Sequence, residues 1–109
     1  MALCEIRFWQ TKSGKKPVEK WIDELTNEQR LRVAKLLRSL AHSGRELMMP
    51  ESRYLGAKLF ELREKQDGLR VYYTFFGSTI AVLVVGGDKD SQERDIVLAR
   101  ERMKTISVK

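Results

Sequence analysis

The chain is poor in the residues that build the commonest catalytic and metal sites. It has one cysteine, Cys4, in 109 residues, so no internal disulfide can form and no Cys-x-x-Cys metal site exists. A reducing cytoplasm is the expected compartment. His42 is the only histidine, which argues against a histidine-based catalytic pair or metal centre. It falls near the expected end of a helix, where its charge suits the dipole. There is no Gly-x-Ser-x-Gly, and nothing near Cys4 in sequence would activate its thiol. The longest apolar run, Ile80 to Val85, is far short of the roughly 20 residues that span a bilayer. The opening Met1-Ala2-Leu3-Cys4-Glu5 has an acid where a signal peptide carries bases. Neither export nor a membrane partner is expected.

What is present is a balance of 42% hydrophobic and 33% charged residues, as in a soluble globular protein. The length suits one domain over residues 1–109 and is too short for two. The formal net charge of +6 favours a polyanionic partner, whether nucleic acid, an anionic surface or an acidic protein.

Hydrophobic spacing divides the chain. Leu3 to Trp9 alternates loosely and predicts a strand. Pro17 suits a first helical position, and Val18, Trp21, Ile22 and Leu25 follow at helical spacing. Thr26 and Gln29 form a capping box for a second helix, with Val33, Leu36, Leu37 and Leu40 on one stripe and an end near Gly44. Two helices so closely joined make a hairpin. Arg45 to Lys58 reads as irregular, with Met48 and Met49 as packing or partner-contact residues. Strands are predicted over Leu59–Glu64, Leu69–Phe76 and Thr79–Val85, joined by turns at Asp67-Gly68 and Gly77-Ser78. A last helix is expected after Gly86-Gly87-Asp88-Lys89, started by Asp90 and Glu93, with Ile96, Ala99, Met103 and Ile106 buried. The order β-α-α-β-β-β-α predicts an α+β domain, its sheet mainly antiparallel with the helical hairpin on one face.

The segment richest in chemistry is the hairpin from Leu59 to Thr74. Side chains alternate across a strand, so Glu61 and Arg63 share a face, as do Arg70, Tyr72 and Thr74. With Lys65 to Gly68 as the turn, Arg63 falls opposite Arg70 and Glu61 opposite Tyr72. Two facing arginines repel unless an anion lies between them. A phosphate would answer that, since the guanidinium fork fits its oxygens; so would Glu61, in an ordinary ion-pair network on a solvated face. Asp88 and Lys89 precede a helix N-terminus, where backbone N–H groups draw anions.

Three stretches together resemble a known family. Ser13-Gly14-Lys15-Lys16-Pro17-Val18-Glu19-Lys20-Trp21-Ile22, the hairpin Leu59-Phe60-Glu61-Leu62-Arg63 with Leu69-Arg70-Val71-Tyr72-Tyr73, and Gly86-Gly87-Asp88-Lys89-Asp90-Ser91-Gln92 with Arg94-Asp95-Ile96 and Ala99 are similar to the phage-derived Gp49-like members of the RelE/HigB toxins. The resemblance runs from about Ile6 to Met103 and implies the RelE/ParE fold. It also implies a type II toxin neutralised by an antitoxin, commonly of helix-turn-helix type, in a hetero-oligomer. Members of the RelE/HigB branch cut messenger RNA in the ribosomal A site without a metal or other cofactor. Carried onto this chain, the resemblance makes Arg70 the transition-state cation, Arg63 a phosphate holder, Glu61 the general base and Lys89 the acid or an electrostatic clamp. Lys58, Tyr72, Asp88 and Gln92 would contact RNA. The chain lacks the histidine or tyrosine that several members carry at the end of the last strand. Two other readings stand beside the endoribonuclease: a ParE-like toxin that inhibits DNA gyrase without catalysis, and a basic phage-derived regulatory protein that keeps the fold.

Overall fold

The computed structural model describes residues 3–48 and 50–106; Met1, Ala2, Met49 and residues 107–109 lie outside the described residues. A sheet of five strands is built from β1 (Glu5–Phe8), β2 (Ser52–Gly56), β3 (Leu59–Glu64), β4 (Leu69–Phe76) and β5 (Ile80–Asp88). Its order is β1-β5-β4-β3-β2, with β1 parallel to β5 and every other pair antiparallel. Three α-helices accompany it: α1 (Pro17–Asp23), α2 (Asn27–Ser43) and α3 (Gln92–Met103). The expected α+β class and mainly antiparallel sheet are therefore present. None of these helices is long and apolar enough to cross a membrane.

Local chemistry accounts for the hairpin of α1 and α2. Pro17 opens α1, where no backbone donor is missed. Both bonds of the capping box form: Gln29 N–H donates to Thr26 Oγ1 at 3.2 Å, and Thr26 N–H to Gln29 Oε1 at 3.0 Å. Gly44 ends α2 at φ 56°, a value a side chain would resist. The hairpin buries Val18, Val33 and Leu40 against Leu62, Val71, Tyr73 and Leu83 of the sheet. On the opposite face, α3 brings Ala99, Ile96 and Met103 onto Leu59, Tyr72, Val82, Val84 and Val85.

Three features differ from the sequence expectation. First, the stretch read as irregular contains β2, paired with β3 along the sheet edge; its alternation is blurred because Arg53 and Tyr54 are exposed. Second, β5 continues through Gly86, Gly87 and Asp88, which pair with Val71, Arg70 and Leu69. These glycines serve packing within a strand. A Cβ on Gly86 would run into the Trp21 ring, and one on Gly87 into the Asp95 carboxylate. Third, the cap is Asp88, whose carboxylate accepts from the N–H groups of Asp90 at 2.9 Å and Ser91 at 3.2 Å. It starts a 3-10 turn over Lys89–Ser91, from which α3 continues, so Asp90 and Glu93 do not open the helix.

A bulge in β5 finishes the layout. Tyr72 pairs with Val85 and Tyr73 with Leu83, so Val84 is the extra residue, and both Val84 and Val85 turn toward α3.

Candidate active site

The predicted register of the β3–β4 hairpin is present: Arg63 lies opposite Arg70, and Glu61 opposite Tyr72. The turn that sets it is held by Glu64, which accepts from the N–H groups of Gln66 at 2.7 Å and Asp67 at 3.0 Å. Arg32 of α2 pins the same turn through Glu64 and Asp67.

Glu61 is the hub. Its side chain has no exposure, yet Oε1 lies 3.2 Å from Nε of Arg63 and Oε2 lies 3.3 Å from Nε of Arg70. Gln92, the first residue of α3, donates from Nε2 to the same Oε2 at 2.9 Å. One carboxylate thus neutralises part of the charge of two arginines that face each other. The fit is incomplete: Glu61 Oε1, Arg70 Nε and the Tyr72 hydroxyl are buried without a hydrogen bond of good geometry. Burial holds the Tyr72 hydroxyl well above the ordinary tyrosine range, reinforced by the carboxylates of Glu61 and Asp95.

Above this hub lies an open cleft of about 580 Å³, lined among others by Arg63, Lys65, Arg70 and Lys89. The stem of Lys89 lies over Gly68, where a Cβ would stand 3.6 Å from it. Four basic side chains share this cleft with Glu64 and Asp67, whose carboxylates are paired with Arg32, and the positive excess suits an anion with several oxygens.

The expected site is therefore assembled in part. Arg63, Arg70 and Lys89 come together on the cleft. Glu61 lies beneath the arginines, closed off from any ribose. Tyr72 is fully buried under α3 and offers no face for stacking. The Asp88 carboxylate is spent on its cap, and Gln92 is turned inward to Glu61. Lys58 sits at the far end of β3 and lines a different groove. Physically, strand alternation sets which face a side chain takes, whereas α3 decides what that face meets.

Two participants were not singled out beforehand. Lys65, in the hairpin turn, reaches the cleft. Asp95 is buried, accepts from the Ser91 hydroxyl and stands over Gly87. Its place four residues before buried Ala99, on the inward face of α3, is the signal that could have found it.

The arrangement defines a RelE-like α+β fold. A mutant of the E. coli toxin RelE with two arginines replaced by alanine, in the free state, superposes with a TM-score of 0.65 at 17% identity, over 98% of this chain and 100% of that one. A crystal structure of the isolated E. coli RelE toxin gives a TM-score of 0.56 at 14% identity, over 82% of this chain and 92% of that one. No curated protein sequence matches. Residues 20–104 match the model of the phage derived Gp49-like proteins, and the chain belongs to that family.

Proposed function

We propose that this protein is a type II toxin acting as a ribosome-dependent endoribonuclease, held in check by a cognate antitoxin. The observation that carries the reading is the pair Arg63 and Arg70, fixed across one antiparallel ladder by a buried Glu61 and opening onto a basic cleft. The RelE-like fold and the net charge of +6 support it.

In the reaction the ribose 2′-hydroxyl gives its proton to solvent water, its oxygen bonds to the adjacent phosphorus and the bond to O5′ breaks. A 2′,3′-cyclic phosphate and a free 5′-hydroxyl result. Negative charge grows on the non-bridging oxygens, and Arg70 and Arg63 are the donors placed to meet it. Lys89, exposed on the rim, supplies a proton or positive charge to the departing O5′. Glu61 is a positioning residue: enclosed under both guanidinium groups, it keeps them preorganised and does not reach the 2′-OH.

Arg70 is 8% exposed, so deleting its charge would strand Glu61 and unsettle the fold as well as the chemistry. Arg70→Lys keeps the charge and loses the fork. Cleavage of a message translated in vitro, read by primer extension, should fall about 100-fold. Thermal melting should show the variant folded. Full cleavage by folded Arg70→Lys would overturn the mechanism. If the wild-type protein leaves protein synthesis running while DNA supercoiling fails, the gyrase reading replaces it.

A further inference from the structure

At the other end of the β3–β4 ladder, on the hairpin face of the sheet, lies a second groove of about 580 Å³. Its walls are Tyr54, Phe60 and Phe75, with Arg45 and Lys58 beside them, and no acidic side chain among the described residues lines it. The rings adjoin one another: Tyr54 and Phe60 are tilted by 48° with centroids 5.0 Å apart, and Phe60 and Phe75 meet edge to face at 5.4 Å. Tyr54 is 59% exposed. Arg45 is clamped, its guanidinium 4.4 Å above the Phe75 ring and its NH2 donating to the Gly77 carbonyl at 2.8 Å.

The turn that carries Lys58 is strained. Ala57 and Lys58 both have positive φ, 47° and 69°, where side-chain-bearing residues are disfavoured. A two-residue hairpin turn of this kind ordinarily takes Asn-Gly. Two hydrogen bonds hold the conformation: Lys58 N–H donates to the Tyr54 hydroxyl at 3.2 Å, and the Lys58 carbonyl accepts from Thr74 Oγ1 at 2.7 Å. The strain is held by the surrounding bonds and sets the Lys58 side chain at the mouth of the groove. Lys58 has no ion-pair partner among the described residues, which leaves its ammonium free at the groove.

We infer that this groove is a second nucleic-acid site, taking an unpaired nucleotide of single-stranded RNA with its base on Tyr54 and its phosphate on Lys58 and Arg45. A base needs only an open ring face, and a phosphate only a cation. The Lys58 N–H and carbonyl and the Gly77 carbonyl are already bonded within the chain, and no acidic side chain among the described residues lines the groove, so a ring face and two cations are what it offers. The site is independent of cleavage and lies apart from the Arg63–Arg70 cleft.

The test uses a fully 2′-O-methylated single-stranded RNA, which cannot be cut, so its outcome is separate from that of the cleavage reading. Tyr54→Ala should weaken binding about tenfold, the usual effect of losing one stacked base. Lys58→Gly should lower the slope of log affinity against log salt by roughly 0.7, as expected for one lost phosphate contact. Because glycine accepts the positive φ, this variant should melt no lower than the wild type. Unchanged affinity and salt slope in both variants, or no RNA binding by the wild type, would overturn the inference. So would loss of antitoxin binding with RNA affinity intact, which would make the groove a protein-docking surface.

Discussion

Tyr72 and Tyr73 are neighbours on β4, both fully enclosed, and their hydroxyls meet opposite fates. Tyr73 points to the hairpin face, where its hydroxyl bonds that of Ser52 among Leu62, Val71 and Leu83. Tyr72 points to the α3 face, where its hydroxyl has no partner beside the Glu61–Arg70 pair. The hairpin face is a mainly apolar core in which the buried polar groups of Tyr73, Ser52, Cys4 and Glu64 all have partners. The α3 face contains Glu61, Arg70 and Asp95, and leaves atoms unanswered. Stability is concentrated on the first side, whereas the second holds buried charge that is only partly compensated, which stabilises weakly but stays oriented.

The strongest way to break this contrast is Glu61→Gln. It removes the charge between the arginines while keeping the shape, and should cost about 3 kcal/mol of stability in urea unfolding. Inorganic phosphate should then stabilise the variant more than the wild type, since an anion in the cleft takes over the lost role. An equal phosphate response in both proteins would show that the carboxylate does not hold the arginines.

Alkaline unfolding comes next. Burial raises the Tyr73 hydroxyl to about 12, with the Ser52 hydrogen bond working the other way, and it raises Tyr72 too. An unfolded tyrosine titrates near pH 10. Above that pH the unfolded chain releases protons that the native state keeps, so stability should be full below pH 10 and fall as pH rises toward 12. Tyr72→Phe and Tyr73→Phe should each flatten that decline. A pH-independent melting temperature from pH 9 to 12 would contradict it.

The smallest effect is the most discriminating. At neutral pH, Tyr73→Phe strands the Ser52 hydroxyl and should destabilise by about 1 kcal/mol, whereas Tyr72→Phe removes an orphan hydroxyl and should stabilise by up to about 1 kcal/mol. Changes of the same sign in both variants would erase the distinction between the faces.

Much of this architecture was legible in the chain. The Thr26–Gln29 box, Pro17 at a helix start and the register placing Arg63 opposite Arg70 all follow from chemistry a few residues apart. Turn length and strand alternation fix such pairings without help from distant residues. The edge strand β2 escaped because Arg53 and Tyr54, neighbours on opposite faces, are both exposed, which removes the apolar alternation that marks a strand.

Burial was decided by the tertiary structure alone. Alternation assigns Glu61, Tyr72 and Gln92 to a face, but only the docking of α3 encloses them and turns Gln92 onto Glu61. Gly86 and Gly87 pair with Val71 and Arg70 as strand residues, and Trp21 and Asp95 approach them too closely to admit a side chain. Lys58 is carried away from the arginines because β2 pairs with β3 and the two-residue turn between them lies at the opposite end. Each of these depends on which distant surface covers a given face. Local propensities act over a few residues, whereas desolvation is set by whatever segment packs on top, however far along the chain it lies.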